Sequence, residues 1–180
     1  MIGVLVSGEG TNLQALLDEG LPVVAVASNR PNVHGLVRAQ RAGAPTAVFA
    51  LGDFPDRETR DEAMADWLVS QQVRLVVCAG YMHLLTPAFL ARFPGRVVNV
   101  HPAPLPAFPG AHPLADVLAA GAPEAAATVH FVDEGVDTGP VIASEAVPVL
   151  ADDTVESLRE RVHEAEHRLL PRVVRELCAR

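Results

Sequence analysis

The sequence contains no lysine, so all 14 of its basic residues are arginine. The phosphate loop of P-loop NTPases requires Gly-Lys-Ser/Thr. Enzymes that form a Schiff base with their substrate or with pyridoxal phosphate require a lysine amine. A compositional bias of the source genome would account for the missing lysine, but both enzyme classes are excluded whatever its cause.

Cysteine is scarce, and positive charge is outnumbered by negative charge. The two cysteines, Cys78 and Cys178, cannot build a disulfide framework, and Cys78 lies in an apolar run typical of a protein core. The formal net charge of −8 argues against a partner held through many nucleic-acid phosphates. The net charge does not exclude a local pocket that binds a single phosphate.

Long hydrophobic runs are also missing. No apolar stretch reaches the ~18 residues that a membrane helix needs. Residues 1–6 lack the basic region of a signal peptide and are predicted to form a strand. We therefore expect a cytoplasmic protein with no membrane partner, and 180 residues suit a single domain.

Short valine-rich runs alternate with helical patterns through the first hundred residues. This alternation predicts a single doubly wound, mostly parallel α/β sheet of the Rossmann-like class. After Pro113 we expect a short helix, an antiparallel strand pair joined by residues 133–139, and a long C-terminal helix that begins near Thr154. The predicted strands are residues 2–6, 23–27, 46–49, 73–78, 96–100, 126–132 and 141–149. The predicted helices are residues 12–19, 33–42, 57–72, 87–92, 114–120 and 154–178.

The first predicted strand is followed by Ser7-Gly8-Glu9-Gly10-Thr11-Asn12, which opens the first helix. Exposed amides and the positive end of the helix dipole make such a turn suitable for an anion. A dinucleotide fingerprint is not met, because Leu13 stands at its third glycine position. The loop is therefore either a phosphate site or only a tight strand–helix turn.

Asn99 and His101 end the fifth predicted strand, where ligands bind in parallel sheets. Alternation points both side chains the same way, so an amide and an imidazole could together stabilise an oxyanion. A satisfied, partly buried pair is the other interpretation. Asp137, in the predicted hairpin loop, is the natural carboxylate partner, although such a residue is more often a simple turn aspartate.

A literal HExxH runs from His163 to His167 on the last predicted helix. Its spacing suits zinc, but a third ligand is missing. We therefore expect no metal site.

Five motifs together carry a resemblance to a known family. The motifs are Ser7-Gly8-Glu9-Gly10-Thr11-Asn12-Leu13-Gln14, Ala79-Gly80-Tyr81-Met82, Asn99-Val100-His101-Pro102-Ala103-Pro104-Leu105-Pro106, Phe108-Pro109-Gly110 and Gly135-Val136-Asp137-Thr138-Gly139-Pro140-Val141. On these motifs the chain resembles the 10-formyltetrahydrofolate formyltransferases, and its first loop resembles those of the phosphoribosylglycinamide branch.

The resemblance implies an enzyme of purine biosynthesis. It would transfer a formyl group from 10-formyltetrahydrofolate, its co-substrate, to the amine of 5′-phosphoribosylglycinamide. It further implies one domain, with residues 1–100 as the nucleotide- and phosphate-binding half and residues 101–180 as the folate and catalytic half. The implied catalytic residues are Asn99, His101 and Asp137. The implied phosphate-binding residues are Gly10, Thr11 and Asn12, and Glu166 would lie near the substrate amine. The implied folate-binding residues are Arg57, Met82, His83, Leu84, Leu85 and Asn99.

The implied reaction is direct attack of the amine on the formyl carbon, with Asn99 and His101 donating to the oxyanion and Asp137 favouring the imidazolium. It needs neither a metal nor a covalent enzyme intermediate, and the partners would be small molecules, with the protein a monomer or homodimer. Two alternatives stay open, namely a formyltetrahydrofolate deformylase-like hydrolase and a non-catalytic nucleotide-binding module.

The chain departs from the family pattern at a few positions. His83 replaces a common arginine, Ala107 replaces a lysine, and Leu114 and Ala115 replace a basic or polar pair. If position 83 contacts the glutamate tail of folate, arginine there would tighten folate binding.

Overall fold

The computed structural model describes residues 1–179, in which strands and helices alternate as the sequence predicts. The strands are β1 (Ile2–Val6), β2 (Val23–Ser28), β3 (Thr46–Val48), β4 (Leu75–Cys78), β5 (Val97–His101), β6 (Glu124–Phe131) and β7 (Val141–Pro148). The α-helices are α1 (Thr11–Asp18), α2 (His34–Arg41), α3 (Arg57–Ser70), α4 (Pro87–Arg92), α5 (Pro113–Ala119) and α6 (Val155–Ala179).

The seven strands belong to one sheet in the order β3-β2-β1-β4-β5-β6-β7. β1 pairs in parallel with β2 and β4, and β2 pairs in parallel with β3. β6 and β7 pair antiparallel. The predicted fold class, a mostly parallel sheet with an antiparallel C-terminal pair and a long last helix, is confirmed.

The chain divides into two compact units, residues 1–98 and a second unit that begins at Asn99. In the first unit β1 is buried along its whole length, which explains its continuous apolar sequence. β4 begins at Leu75 and not at the expected residue 73. The reason is local: Gln72 adopts a left-handed φ of 60°, and the Val73 N–H donates to the Leu68 carbonyl at 3.1 Å, closing α3.

The second unit contains the β6–β7 hairpin and α6. The start of α6 is fixed by a reciprocal cap, because the Ser157 N–H donates to Thr154 Oγ1 at 3.2 Å and the Thr154 N–H donates to Ser157 Oγ at 3.0 Å. Asp153 accepts from the Leu150 N–H and from Arg161. These bonds hold the pKa of Asp153 below its usual range. The predicted start of the last helix near Thr154 is confirmed.

Three smaller features complete the fold. A 3₁₀ turn over Leu51–Asp53 was not predicted, because no pattern in the sequence indicates it. Cys78 is buried, and burial raises the pKa of its thiol to about 12, as fits an inert core residue. Over residues 1–179, none of the helices combines the length and the apolarity needed to cross a membrane.

Candidate functional site

The loop between β1 and α1 is shaped by a glycine in a left-handed conformation. Gly10 has φ 71° and ψ 33° and directly precedes α1. A Cβ built on Gly10 would lie 2.6 Å from the Cα of Gly35, so no side chain fits there without a backbone shift. Thr11 and Asn12 form the first turn of α1, and Asn12 is buried.

Helix α2 holds this loop from the other side. The Gly35 N–H donates to the Gly8 carbonyl at 2.9 Å. Arg38 Nε donates to the Glu9 carbonyl at 2.8 Å, and its Nη1 donates to Gln14 Oε1 at 3.1 Å. The loop predicted for phosphate is therefore a fixed backbone structure that already has a guanidinium beside it.

The segment predicted for folate, residues 82–85, follows β4 in the same unit. Its Met82 N–H donates to Ser7 Oγ at 2.9 Å, and Ser7 in turn donates to Asn29 Oδ1 at 2.5 Å. Met82 is 66% exposed and Leu84 is also exposed, whereas Leu85 is buried. Arg57 lies exposed at the start of α3. The segment thus offers apolar side chains to solvent from an anchored backbone.

The second unit brings together the three residues that the sequence selects for catalysis. Asp137 Oδ2 lies 3.4 Å from His101 Nδ1, and Asn99 Nδ2 lies 3.5 Å from Asp137 Oδ1. As alternation along β5 predicts, Asn99 and His101 present their side chains to the same carboxylate.

The hydrogen-bond partners of His101 show which of its ring nitrogens donates. Nε2 lies 2.8 Å from the carbonyl oxygen of Phe108, which can only accept, so Nε2 carries a proton. Nδ1 faces the Asp137 carboxylate. Acceptor oxygens therefore face both ring nitrogens of His101.

A second buried histidine, which the sequence analysis did not select, joins this cluster. His130 on β6 is 2% exposed. Its Nδ1 lies 2.8 Å from the Phe131 carbonyl, so Nδ1 is the donor and Nε2 is free to accept from Asn99 Nδ2 at 3.2 Å. The same Nε2 lies 3.5 Å from Asp137 Oδ1. The available signal in the sequence was a histidine within a strand whose other buried residues are alanine, valine and one threonine.

The position of Asp137 depends on tightly constrained loops. Asp137 itself has φ 54°, and its Oδ2 accepts the Gly110 N–H at 2.9 Å. In the same hairpin loop, a Cβ built on Gly139 would lie 1.8 Å from the Phe131 carbonyl oxygen, so only glycine fits. Burial alone would raise the pKa of Asp137, but the neighbouring His130, the hydrogen bond from the Gly110 N–H and the nearby His101 lower it. Asp137 is therefore ionised at neutral pH.

Helix α6 carries the remaining candidates. Glu166 is 3% exposed and lies on the buried face of the helix. The rings of His163 and His167 stack on each other with centroids 6.2 Å apart. Throughout residues 1–179, no group of three or more histidine, cysteine or acidic side chains is arranged to hold a metal ion.

Comparisons with known proteins agree with these features. The family model described as formyl transferase matches residues 1–174. The phosphoribosylglycinamide formyltransferase of Haemophilus influenzae is 40% identical over 97% of this chain and 85% of its own. The trifunctional purine biosynthetic protein adenosine-3 of Drosophila melanogaster is 46% identical over 96% of this chain, which spans only 13% of that protein.

A solved structure gives the same result. The glycinamide ribonucleotide transformylase 1 of Symbiobacterium toebii has a TM-score of 0.94 and 47% identity, covering 97% of this chain and 85% of the other. With a whole-length family match, relatives well above 30% identity and the clustered motif residues, the chain belongs to the formyl transferase family, in the branch of the phosphoribosylglycinamide formyltransferases.

Proposed function

We propose that this chain transfers the formyl group of 10-formyltetrahydrofolate to the primary amine of 5′-phosphoribosylglycinamide, in purine biosynthesis. The observation that carries the proposal is the cluster of Asn99, His101 and Asp137 at the end of β5, with contacts of 3.4 and 3.5 Å. The substrate specificity for which its relatives are named supports the same acceptor.

The reaction follows from what these side chains can donate and accept. The amine attacks the formyl carbon, the carbonyl oxygen becomes an oxyanion, and the tetrahedral intermediate expels the folate nitrogen. Asn99 would donate an amide N–H to the oxyanion, and His101 would donate a charged N–H. Removal of one such donor typically costs about 2.7–4 kcal/mol in the transition state.

The proton must move from the attacking amine to the leaving nitrogen. His101 is the suitable carrier, because the ionised Asp137 compensates its positive charge. Its Nε2–H is held by the Phe108 carbonyl. For His101 to reach the oxyanion, this bond must exchange for a bond to substrate, so we expect the loop around Phe108 to rearrange when substrate binds.

Substrate binding is assigned to the remaining candidates. Gly10, Thr11 and Asn12 would hold the ribose phosphate through backbone amides at the start of α1. Glu166 would lie near the amine. The folate would contact Asn99 and five residues of the first unit, namely Arg57, Met82, His83, Leu84 and Leu85. We expect the enzyme to act in the cytoplasm as a monomer or homodimer.

Product analysis tests the proposal. The protein is mixed with 10-formyltetrahydrofolate, with and without phosphoribosylglycinamide, and the products are followed by mass spectrometry. We expect the formylated acceptor to accumulate together with tetrahydrofolate, and little turnover without the acceptor. Equal consumption of folate in both mixtures would indicate a deformylase-like hydrolase. Nucleotide binding without turnover would indicate a non-catalytic module.

A further inference from the structure

Arg60 on α3 is an arginine with no exposed surface at all. Arginine is almost never fully buried unless it is paired. Its partner is the adjacent Asp61, also 0% exposed, with 2.8 Å from Nε and 2.6 Å from Nη2 to Asp61 Oδ1. The pair neutralises both charges and leaves the Nη1 group of Arg60 directed elsewhere.

That remaining group meets a histidine of the exposed segment. Arg60 Nη1 lies 2.5 Å from His83 Nδ1. A guanidinium can only donate and does not lose its proton in proteins. Nδ1 of His83 must therefore accept, which requires a neutral ring with its proton on Nε2. A protonated His83 would set an N–H against an N–H and a cation against a cation.

The other charged groups around His83 act in the same direction. Of the other charged groups that act on the ring of His83, Arg30 and Arg57 are positive and only Asp61 is negative. Burial, Arg60 and these two arginines lower the pKa of His83, against the opposing effect of Asp61.

The same cluster fixes the backbone of residues 82–86. Asp61 Oδ2 accepts the Thr86 N–H at 2.8 Å, and the Thr86 side chain caps α4 through the Phe89 N–H. The other end of the segment is held by the bond from Met82 N–H to Ser7 Oγ. Between these two anchors, the bond from Arg60 to His83 fixes the middle of the segment.

We propose that Arg60 is a positioning residue for the folate-binding segment, acting through a hydrogen bond that only neutral His83 can accept, so that protonation of His83 releases the segment and weakens folate binding. This inference rests on the proposed function. It also reverses the expectation from the resemblance, because His83→Arg would place a second guanidinium against buried Arg60 and so weaken folate binding.

Two matched substitutions of His83 separate this role from a general structural one. His83→Asn places an amide oxygen near the position of Nδ1, where it accepts from Arg60 but cannot titrate. His83→Gln places its amide nearer the position of Nε2 and leaves Arg60 without that acceptor. The measurement is the equilibrium Kd of 10-formyl-5,8-dideazafolate, an analogue that has carbon at position 5 and so cannot cyclise in acid, without an amine acceptor, across the pH range in which histidine titrates.

For the unsubstituted protein we expect Kd to rise about tenfold per pH unit once the pH falls below the folded pKa of His83. His83→Asn, whatever its Kd at high pH, should keep that Kd at low pH, because its amide does not titrate. His83→Gln should bind weakly throughout. The same pH dependence in the unsubstituted protein and in His83→Asn would overturn the proposal.

A second measurement is independent of folate chemistry. Nitrogen-15 NMR of the histidine rings in the free protein should show His83 with its proton on Nε2 and an unprotonated Nδ1 at neutral pH. A proton on Nδ1 would overturn the proposal. Folate binding with the expected pH dependence, but without formyl transfer to phosphoribosylglycinamide, would support the role of Arg60 and contradict the proposed function. Folate that binds at no pH would overturn both.

Discussion

In the second unit one carboxylate is shared between two imidazoles and an amide. Asp137 lies 3.4 Å from a ring nitrogen of His101 and 3.5 Å from one of His130. The surroundings lower its pKa, so it provides negative charge throughout the physiological range. A charge shared in this way couples its neighbours, and substitutions within the cluster should not act independently.

The first prediction concerns His101 and Asp137 together. Asp137→Asn removes the charge but keeps the size, and we expect kcat to fall on the order of 10²-fold or more. His101→Asn should have a similar effect, and the double variant should be barely worse than either, because both act on one oxyanion. The measurement is kcat for all four proteins. Losses that multiply in the double variant would show that the two residues work independently.

Asp133→Asn provides a matched control in the same hairpin loop. Asp133 Oδ1 accepts from the Gly135 N–H and from Thr138 Oγ1, and an asparagine oxygen accepts both bonds equally well. We expect kcat of this variant to stay within about twofold of the original, as for an ordinary surface substitution.

The second prediction concerns His130. His130→Gln keeps an acceptor near Nε2 for the Asn99 amide, whereas His130→Asn keeps only the donor to the Phe131 carbonyl. We expect His130→Asn to lower kcat about tenfold or more by freeing Asn99 to rotate, and His130→Gln to keep most of the activity. Equal losses in both variants would mean that His130 does not orient Asn99.

The sequence identified part of this cluster for physical reasons. Asn99 and His101 were found because period-two alternation places them on one face at a strand end. Asp137 was identified as a candidate carboxylate partner from its hairpin loop, but only the family resemblance favoured a catalytic role over a simple turn aspartate, since its left-handed φ and its bond to Gly110 leave no local pattern. His130 was missed because the sequence of a strand does not show which strand pairs with it. The proximity of His130 to Asn99 could therefore not be inferred.

At the scale of elements, the loop between β1 and α1 shows why glycine is required at one position. Gly10 combines a positive φ with a neighbour, Gly35, whose backbone leaves no space for a Cβ. The sequence indicated a tight turn or an anion site, but the close approach of α2 depends on tertiary packing. Likewise, the residues of β4 were predicted, whereas its first residue was set by the left-handed end of α3.

The third prediction separates backbone strain from loop geometry. Gly43 has φ 74°, close to that of Gly10, but a Cβ there meets nothing within 4 Å. Alanine at either position should cost stability on the order of 1 kcal/mol from the left-handed conformation. Only Gly10→Ala should also raise the KM for phosphoribosylglycinamide, because it displaces the loop proposed to bind the phosphate.

The measurement is the KM for both substrates in the two variants, together with their thermal stability. We expect the folate KM to change little in either protein. If Gly10→Ala raises both KM values equally, or if Gly43→Ala raises the phosphoribosylglycinamide KM as much, the loop serves the fold and the phosphate assignment is wrong.

At the scale of the whole molecule, an acidic protein is proposed to bind two anionic substrates. The net charge of −8 gives no general attraction for a phosphate or for the carboxylates of a folate. The proposed binding would therefore depend on local donors, such as the amides at the start of α1 and the guanidinium of Arg57. Without lysine, every such side-chain cation is an arginine or a protonated histidine.

The order of elements and the antiparallel final pair were predictable from periodicity, because each strand and helix carries its own local pattern. The order of strands within the sheet was not predicted, since it depends on which buried edges pair after the chain has folded. The branch of the family was predictable because the loop after β1 and the segment around His101 contain residues chosen for chemistry and not for packing.

The central claim is direct transfer of the formyl group to an amine, and a single-turnover experiment tests it most directly. Excess enzyme is mixed with 10-formyltetrahydrofolate carrying a carbon-13 formyl group and with phosphoribosylglycinamide, and the reaction is quenched at short times. We predict that the label enters the product amide as fast as it leaves the folate, with none passing through formate or a protein adduct. Label that appears first in formate, or on the protein, would contradict the mechanism.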